Sequence, residues 1–554
     1  MGRSWKDLHS SSLILLWAIS IAAQAQSPIP AYYERVKAYT DVKSLSDAPF
    51  GERMSFYKGE ISFFQTDLTL LGNGPDIIVA RSFNPMEEPI PSSPPGFGDW
   101  SINIPRMMTR SPSHDLWTNP SGNGRCTGFS TGVALTAHVP ANFWWNGYQF
   151  IDIDGQTREI IKRVPSSPAA PGGVDANFPA LTTDNWQFGC LANTANATEG
   201  EGFLAVAPNG TRYWFDWLVL SRGYSLEESP IGSKPAVHDN IYNAMLLVTR
   251  IEDQFGNYLV YAYDNDRLLS ITASDGRSVN FSWDAGANRI LRMSVASRIW
   301  SYTYNSGSLS SLTLPDGTAT TFDLASFKTT LGWQNDGACG EITSYENAPI
   351  SGSMTLPSGL SGTFTVQEKS KGRSKVPYIC NLDLSGTYHM AIPATYTSLS
   401  LLSRVYSGPG INAVWTYAYG PLNASWDTAC GSNCTTTVTV DETRPEGVVK
   451  RYTYSNEWSA YEGKLLSVEE ISGSAGGTRL TTYVYASTSG MPYPDKVGQA
   501  LTHGVLSNTA PLQTLSPLRQ QVIAQDGQDF VRAVDVFDAL GRPLQITKHS
   551  EQVP

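Results

Sequence analysis

Three short stretches hold residue types that could do chemistry. "GFSTG", Gly128–Gly132, has the G-x-S-x-G spacing that poises a serine hydroxyl on a sharp turn for a histidine to activate. That arrangement needs an apolar strand leading to Ser130 and a helix leaving it. "SGNGRCT" precedes the serine as loop and "VALTAHV" follows with strand character, so the match reads as a loop. His138 is then an incidental neighbour, one of seven histidines in the chain. "IDIDGQTRE" sets Asp152 and Asp154 before Gly155, as a calcium loop does, but no carboxylate near the twelfth position completes an oxygen cage. A hairpin with an Asp-Gly turn explains these residues better. "NFWWNGYQF" gathers Phe143, Trp144, Trp145 and Tyr148. Exposed, such rings make a platform that stacks on sugars; buried, they are ordinary core. No H-E-x-x-H, G-K-[ST] or dinucleotide fingerprint occurs. No cofactor and no metal are expected. The chain reads as non-enzymatic, with a hydrolase site within 90–240 as the weaker alternative.

Six cysteines come next: Cys126, Cys190, Cys339, Cys380, Cys430 and Cys434. Their spacing lacks the C-x-x-C of zinc knuckles and no histidine cluster accompanies them. Neighbouring pairs, Cys126–Cys190, Cys339–Cys380 and Cys430–Cys434, are the simplest disulfide set, although six cysteines allow roughly 15 connectivities. Free thiols are the alternative. Disulfides require an oxidising compartment, and the N-terminus agrees. Arg3 and Lys6 precede the apolar run Leu13–Ala23, and "AQAQ" offers an A-x-A cleavage site after Ala25. Eleven apolar residues are too few to span a bilayer. The expectation is an exported protein, periplasmic, envelope-associated or secreted, with no integral span after cleavage.

The elements behind these residues are β. Charged residues make up 16% and aromatics 11%, a mix that suits strands and turns better than long charged helices. A formal charge of -11 argues against nucleic acid as a partner. Between Arg250 and Gly286 one unit is written twice: "DQFGNYLVYAYD", then "ASDGRSVNFSWD". Gly256 and Gly276 lie 20 residues apart and Gly317 follows 41 later. The aromatic pairs Tyr261/Tyr263, Phe281/Trp283 and Tyr302/Tyr304 keep the same period, with Asp264 and Asp284 closing two of them. Looser copies include Tyr417/Tyr419, Tyr452/Tyr454, Tyr483/Tyr485 and "DVFDALGRPLQIT", with Gly541 and Arg542. Side chains alternate across a strand, so Tyr-x-Tyr puts two rings on one face. Asp-Gly supplies the positive φ that tight turns need. One such hairpin is marginal alone; stacked copies pair each other's edges and merge their aromatic faces.

These residues carry a resemblance. "DQFGNYLVYAYDNDRLLSIT" and "DALGRPLQIT" look like the YD repeats of the Rhs family, and "GEISFFQTDLTLLGNGPDIIVARSFN", Gly59–Asn84, is similar to the segment preceding such repeats in exported members. The resemblance implies a spiral β-sheet that can close into a shell around a toxic segment. The chain departs from it by lacking D-P-x-G-L and by running only about a dozen residues past Gly541. Self-cleavage and a payload domain of its own are therefore not expected, as in a truncated or orphan member.

The expected organisation is a signal peptide over 1–25, a linker and lead-in over 26–58, and a β-rich N-terminal domain over 59–245. A first repeat array follows over 246–325, an insertion over 326–400, and a second, looser array over 401–554. The fold class is mainly β: antiparallel hairpin repeats stacked into a spiral, solenoid or open shell-like sheet. The expected function is a scaffold or shell that binds or encloses another molecule, in surface contact or interbacterial competition. The partner would be a separately encoded toxin or effector polypeptide, or, on the alternative reading, a glycan.

Overall fold

The structure is a computed structural model. It describes residues 48–85, 94–112, 117, 124–129, 147–172, 177–228, 237–284, 286–328, 346–378, 380–382, 388–390, 394–431, 434–459, 461–471, 478–487 and 515–552. The described residues are almost entirely strands, with a single 3-10 turn at Ala325–Phe327. Phe50–Pro554 forms one compact unit.

A four-stranded antiparallel sheet comes first: β1 (Glu52–Met54), β2 (Ile61–Leu70), β3 (Ile77–Phe83) and β4 (Ser101–Ile102). The next strands run in a circuit. β5 (Arg106–Pro112), β6 (Tyr148–Ile151) and β7 (Thr157–Glu159) pair in order. β8 (Ile161–Lys162), separated from β7 by Ile160, leads through β9 (Ala180–Leu181), β10 (Gln187–Leu191), β11 (Gly202–Val206) and β12 (Arg212–Glu228) to β13 (Val237–Glu252). Residues 241–247 of β13 then pair back with β5, while 250–252 pair onward with the first repeat strand. Val248 and Thr249 sit where the partner changes.

From β13 the repeats extend one sheet, each strand antiparallel to the last. They are β14 (Tyr258–Asp264), β15 (Arg267–Ala273), β16 (Ser278–Asp284), β17 (Arg289–Val295), β18 (Arg298–Asn305), β19 (Ser308–Thr313) and β20 (Ala319–Asp323). The sheet does not break at 326–400: β21 (Ile350–Thr355) pairs directly with β20, and β22 (Ser361–Gly372) with β21. A separate hairpin, β23 (Cys380–Leu382) and β24 (Tyr388–Met390), lies between β22 and its next partner. The sheet resumes with β25 (Thr395–Gly408), β26 (Ile411–Tyr419), β27 (Thr437–Thr443), β28 (Val449–Ser455) and β29 (Leu465–Ile471). It ends with β30 (Thr478–Tyr485), β31 (Leu518–Gln525), β32 (Gln528–Phe537) and β33 (Pro543–Gln552). The long sheet is not closed into a barrel.

The alternation works as its period demands. In β14, Leu259, Tyr261 and Tyr263 are buried while Val260 is exposed. Gly256, Gly276, Gly317 and Gly541 all have positive φ at the hairpin turns. At each of these turns an aspartate closes the loop on itself: Asp253, Asp275, Asp316 and Asp538 accept the N–H of Phe255, Arg277, Thr318 and Leu540.

Two of the three expected disulfides fall among the described residues and both form, Cys126–Cys190 and Cys430–Cys434. They are compatible with export. Cys339 lies outside the described residues, and with it the third pairing; so does the whole of 1–47. Cys126–Cys190 bridges 64 residues and Cys430–Cys434 only 4. Chain-entropy arguments scale with the loop, giving about 4 kcal/mol for the first and about 2 kcal/mol for the second. Double serine substitution at 126 and 190 is therefore expected to lower the urea midpoint about twice as far as the same change at 430 and 434. Equal shifts would show that loop entropy does not dominate.

Candidate functional site: backbone donors on the repeat sheet

The pairing carries a defect at a fixed place in successive hairpins. Opposite the second aromatic of Tyr-x-Tyr the register slips by one residue. Tyr263 faces Leu268 with Leu269 skipped, Trp283 faces Ile290 with Leu291 skipped, and Tyr304 faces Leu309 with Ser310 skipped. The same slip leaves Val248, Leu401 and Leu465 opposite Phe215, Val366 and Tyr454. A bulge of this kind disrupts the ladder, leaving a carbonyl and an N–H in need of other partners.

The carbonyls are taken by the next hairpin's aromatic. Tyr263 Oη donates to Val248 O at 2.6 Å, Trp283 Nε1 to Leu268 O at 2.9 Å, and Tyr304 Oη to Ile290 O. Tyr419 Oη donates to Leu401 O at 2.7 Å and Tyr485 Oη to Leu465 O at 2.8 Å. The second ring must therefore carry a donor as well as fill space. Phe322 has none, and its hairpin makes no such bond.

The N–H groups face outward to a different partner. Val248 N donates to Pro105 O at 3.1 Å, Ile290 N to Gly96 O at 2.7 Å, and Leu401 N to Gly59 O at 2.9 Å. Leu309 N donates to Asp99 Oδ1 at 2.8 Å. All four acceptors belong to the stretch 59–105, so the bulges present a row of backbone donors to which the chain's own N-terminal sheet is docked. Side chains reinforce the row. Arg277 Nη2 reaches Pro75 O at 3.1 Å while its partner Asp275 accepts from Asn73 N. Ser398 and Ser400 Oγ both donate to Lys58 O. Rings complete the contact: Phe97 on Tyr302 at 4.5 Å, Trp100 on Phe322 at 5.5 Å, Phe63 on Phe364 at 4.9 Å and Phe56 stacked on Tyr452 at 4.2 Å.

Two buried charge clusters sit under this sheet. Arg81, 1% exposed, donates to both oxygens of Asp67, stacks between Trp100 and Phe322, and shares Asp67 with the hydroxyl of Tyr302. Glu52, 7% exposed, accepts from Phe50 N, Tyr406 Oη and Arg404 Nη1, and Arg404 lies 3.8 Å from Glu442. Burial pushes the Glu52 carboxyl up to about 7, against the pull of its hydrogen bonds and of Arg404.

The residues singled out in the sequence are distributed otherwise. Tyr148 is buried at 5%, stacked on Phe129 at 4.7 Å, so its ring offers no face to a sugar; Phe143, Trp144, Trp145, Ser130 and His138 lie outside the described residues. Arg158 answers Asp152 and Asp154, at 3.8 and 3.5 Å, and Asp184 at 2.9 Å, so these carboxylates neutralise a guanidinium. Asp284 pairs with Arg289 and Asp264 accepts from Asn265, while Arg542 pairs with Asp538. Tyr261, Phe281 and Tyr302 are buried, and Trp283 and Tyr304 half-buried. No cluster of metal-ligating side chains and no helix long and apolar enough to cross a membrane occurs among the described residues. The bulge residues themselves were not anticipated. Their signal was an apolar doublet that breaks alternation, as in "RLLSIT" and "KLLSVE".

No family model matches the chain, and no curated protein does. Among solved structures it is similar to the Tc holotoxin pore of Photorhabdus luminescens, at 11% identity and a TM-score of 0.25, over 89% of this chain and 26% of that one. It is also similar to the N-terminal domain of effector protein SpvB from Salmonella typhimurium strain LT2, at 12% identity and a TM-score of 0.17, over 64% of this chain and 94% of that one. The chain thus spans about a quarter of the first of these.

Gly59 offers a direct handle. Its φ is +80°, and an added Cβ would lie 2.6 Å from both Ser400 Oγ and Tyr419 Oη. Gly59→Ala is expected to cost roughly 2–4 kcal/mol locally and to speed amide exchange at Leu401 more than tenfold while leaving β14 and β15 protected. Unchanged exchange at Leu401 would mean that the bond to Gly59 contributes nothing. Glu52 gives a pH signature. Its folded value of about 7 exceeds the ordinary 4.5, so its contribution to stability is complete below pH 4.5 and lost as pH rises through 7. Glu52→Gln should therefore flatten the fall in urea midpoint between pH 5 and 8, and parallel curves for the two proteins would refute that assignment.

Proposed function

We propose that this protein is an exported, non-enzymatic scaffold whose repeat sheet holds extended polypeptide through its bulge N–H groups. The observation that carries the reading is that Val248, Ile290, Leu309 and Leu401 all donate into one continuous stretch, 59–105. Main-chain donors recognise backbone rather than a side-chain sequence, which suits a wall that must hold polypeptide. The occupant of these four positions is the chain's own N-terminal sheet. A second polypeptide, of the toxin or effector class and separately encoded, takes the sheet beyond it. There β33 is exposed along all ten residues, and Leu544, Ile546 and Phe530 stand in solvent. Exposed apolar side chains on a terminal strand of a sheet are a place for a further chain to pair. Buried Tyr148 gives the glycan reading no support. Co-expression with the product of the neighbouring reading frame is expected to yield a complex that survives gel filtration, and Leu544→Glu with Ile546→Glu to abolish it. A co-expressed product that elutes separately from the wild-type chain would overturn the proposal.

A further inference from the structure

Where the docked stretch meets β22, β25 and β26 there is a cavity of ≈ 30 Å³, lined by Tyr57, Lys371, Tyr396, Tyr419, Leu422 and Thr439 among others. One water needs roughly 10–15 Å³ on the same measure, so the space admits a small ion and excludes a sugar, nucleotide or peptide. Three lysines crowd this corner and two are answered. Lys58 pairs with Glu60 at 3.9 Å and Lys369 with Glu346 at 2.9 Å. Lys371 has no carboxylate partner among the described residues; its Nζ lies 3.5 Å from the centre of the Tyr419 ring. The tyrosine hydroxyls on the wall are committed elsewhere, Tyr419 to Leu401 O, Tyr57 to Glu462, and Tyr396 to Tyr57. Thr439 is different: among the described residues its hydroxyl makes no hydrogen bond. A Cβ on Gly420 would come within 2.3 Å of Thr439 Oγ1, so glycine keeps that corner open.

We propose that this cavity is a binding site for a small monovalent anion of chloride size, held by the Lys371 ammonium and the Thr439 hydroxyl. A cation surrounded by rings and valines, with no counter-charge of its own, is costly to keep. An anion supplies that counter-charge, and the cavity has the volume for one. Because Tyr57 lies between β1 and β2, a filled site also ties the docked sheet to the repeats. This anion site involves only the cavity and no external polypeptide.

Proton linkage follows from the surroundings. Burial pushes Lys371 down to about 7 from 10.5, Lys369 adds repulsion, and Glu60 and Glu346 oppose the shift only in part; Arg373, beyond Tyr396, is paired with Glu462. Between pH 7 and 10.5 the unfolded chain holds this proton and the folded chain does not, so the group's contribution to stability rises with pH across that window. The anion stabilises the ammonium, so it binds most tightly below pH 7 and weakens above.

The test uses the full chain in sodium chloride and in sodium gluconate at equal ionic strength. Chloride is expected to raise the melting temperature saturably at pH 6 and hardly at all at pH 9, and gluconate at neither. Lys371→Met should lose the chloride effect. Thr439→Val, which keeps shape and fold, should weaken the apparent affinity several-fold, and decides the matter if Lys371→Met does not fold. Bromide soaked into a crystal should give an anomalous peak beside Lys371 Nζ. A chloride effect of equal size in both variants and the wild type, or no bromide at Lys371, would overturn the proposal.

Discussion

Backbone satisfaction at a recurring bulge governs this protein. Each slip in register takes one carbonyl and one N–H out of the ladder, and a buried unpaired group costs about 1–3 kcal/mol. At Val248, Ile290 and Leu401 the chain answers the carbonyl from the following hairpin and the N–H from the stretch 59–105. Tyr304 serves Ile290 O while Gly96 serves Ile290 N; Tyr419 serves Leu401 O while Gly59 serves Leu401 N. Hairpins answered on both sides thus depend on a successor in the sequence and on residues more than a hundred positions before them. Stacking is cooperative for a reason more specific than edge pairing.

That dependence explains why the first sheet is integral to the wall. Strands β1–β4 carry an apolar face (Ile61, Phe63, Ile77, Val79, Phe83) that a free sheet would leave exposed, and the aromatic face of the repeats would be a broad apolar patch without cover. Each removes the other's defect. The buried charges set the register of docking. Asp67 can satisfy Arg81 and Tyr302 together in only one placement, and Glu52 meets Arg404 and Tyr406 in only one. Buried pairs of this sort add little net stability but strongly penalise misplacement.

Much of this was legible in the residues. The period near 20, the positive-φ glycines and the Tyr-x-Tyr faces specify antiparallel hairpins, since local steric rules decide them. The cysteine order was enough for the two disulfides within the described residues. The unbroken passage through 326–400 was not legible, because β21 and β22 carry Ser, Thr and Gly in place of the aromatic signature yet pair in the same way. Nor was the docking, which rests on contacts between residues such as Asp67 and Tyr302, 235 positions apart. The doublets in "LLS" and "ILR" pointed to it in principle: Leu268 and Ile290 are buried opposite an aromatic, while Leu269 and Leu291 turn to solvent.

The way the sheet changes along its length follows from the same rule. Through β26 the docked stretch supplies partners for the bulges and the face beneath is buried. Beyond it, β29 is half-buried throughout and β33 is exposed on both faces. Phe537 occupies the place of the second aromatic and, like Phe322, brings no donor to the preceding bulge at Leu518. The two places where the donor ring is replaced by phenylalanine differ in what covers them. At Phe322 the ring is packed by Trp100 and Arg81 of the docked sheet. Beside Phe537, Leu540 in the following turn is buried against Ile161 of β8 and Leu181 of β9. Loss of the capping hydroxyl therefore goes with packing from a distant part of the chain in both places, the docked sheet at Phe322 and strands β8 and β9 next to Phe537.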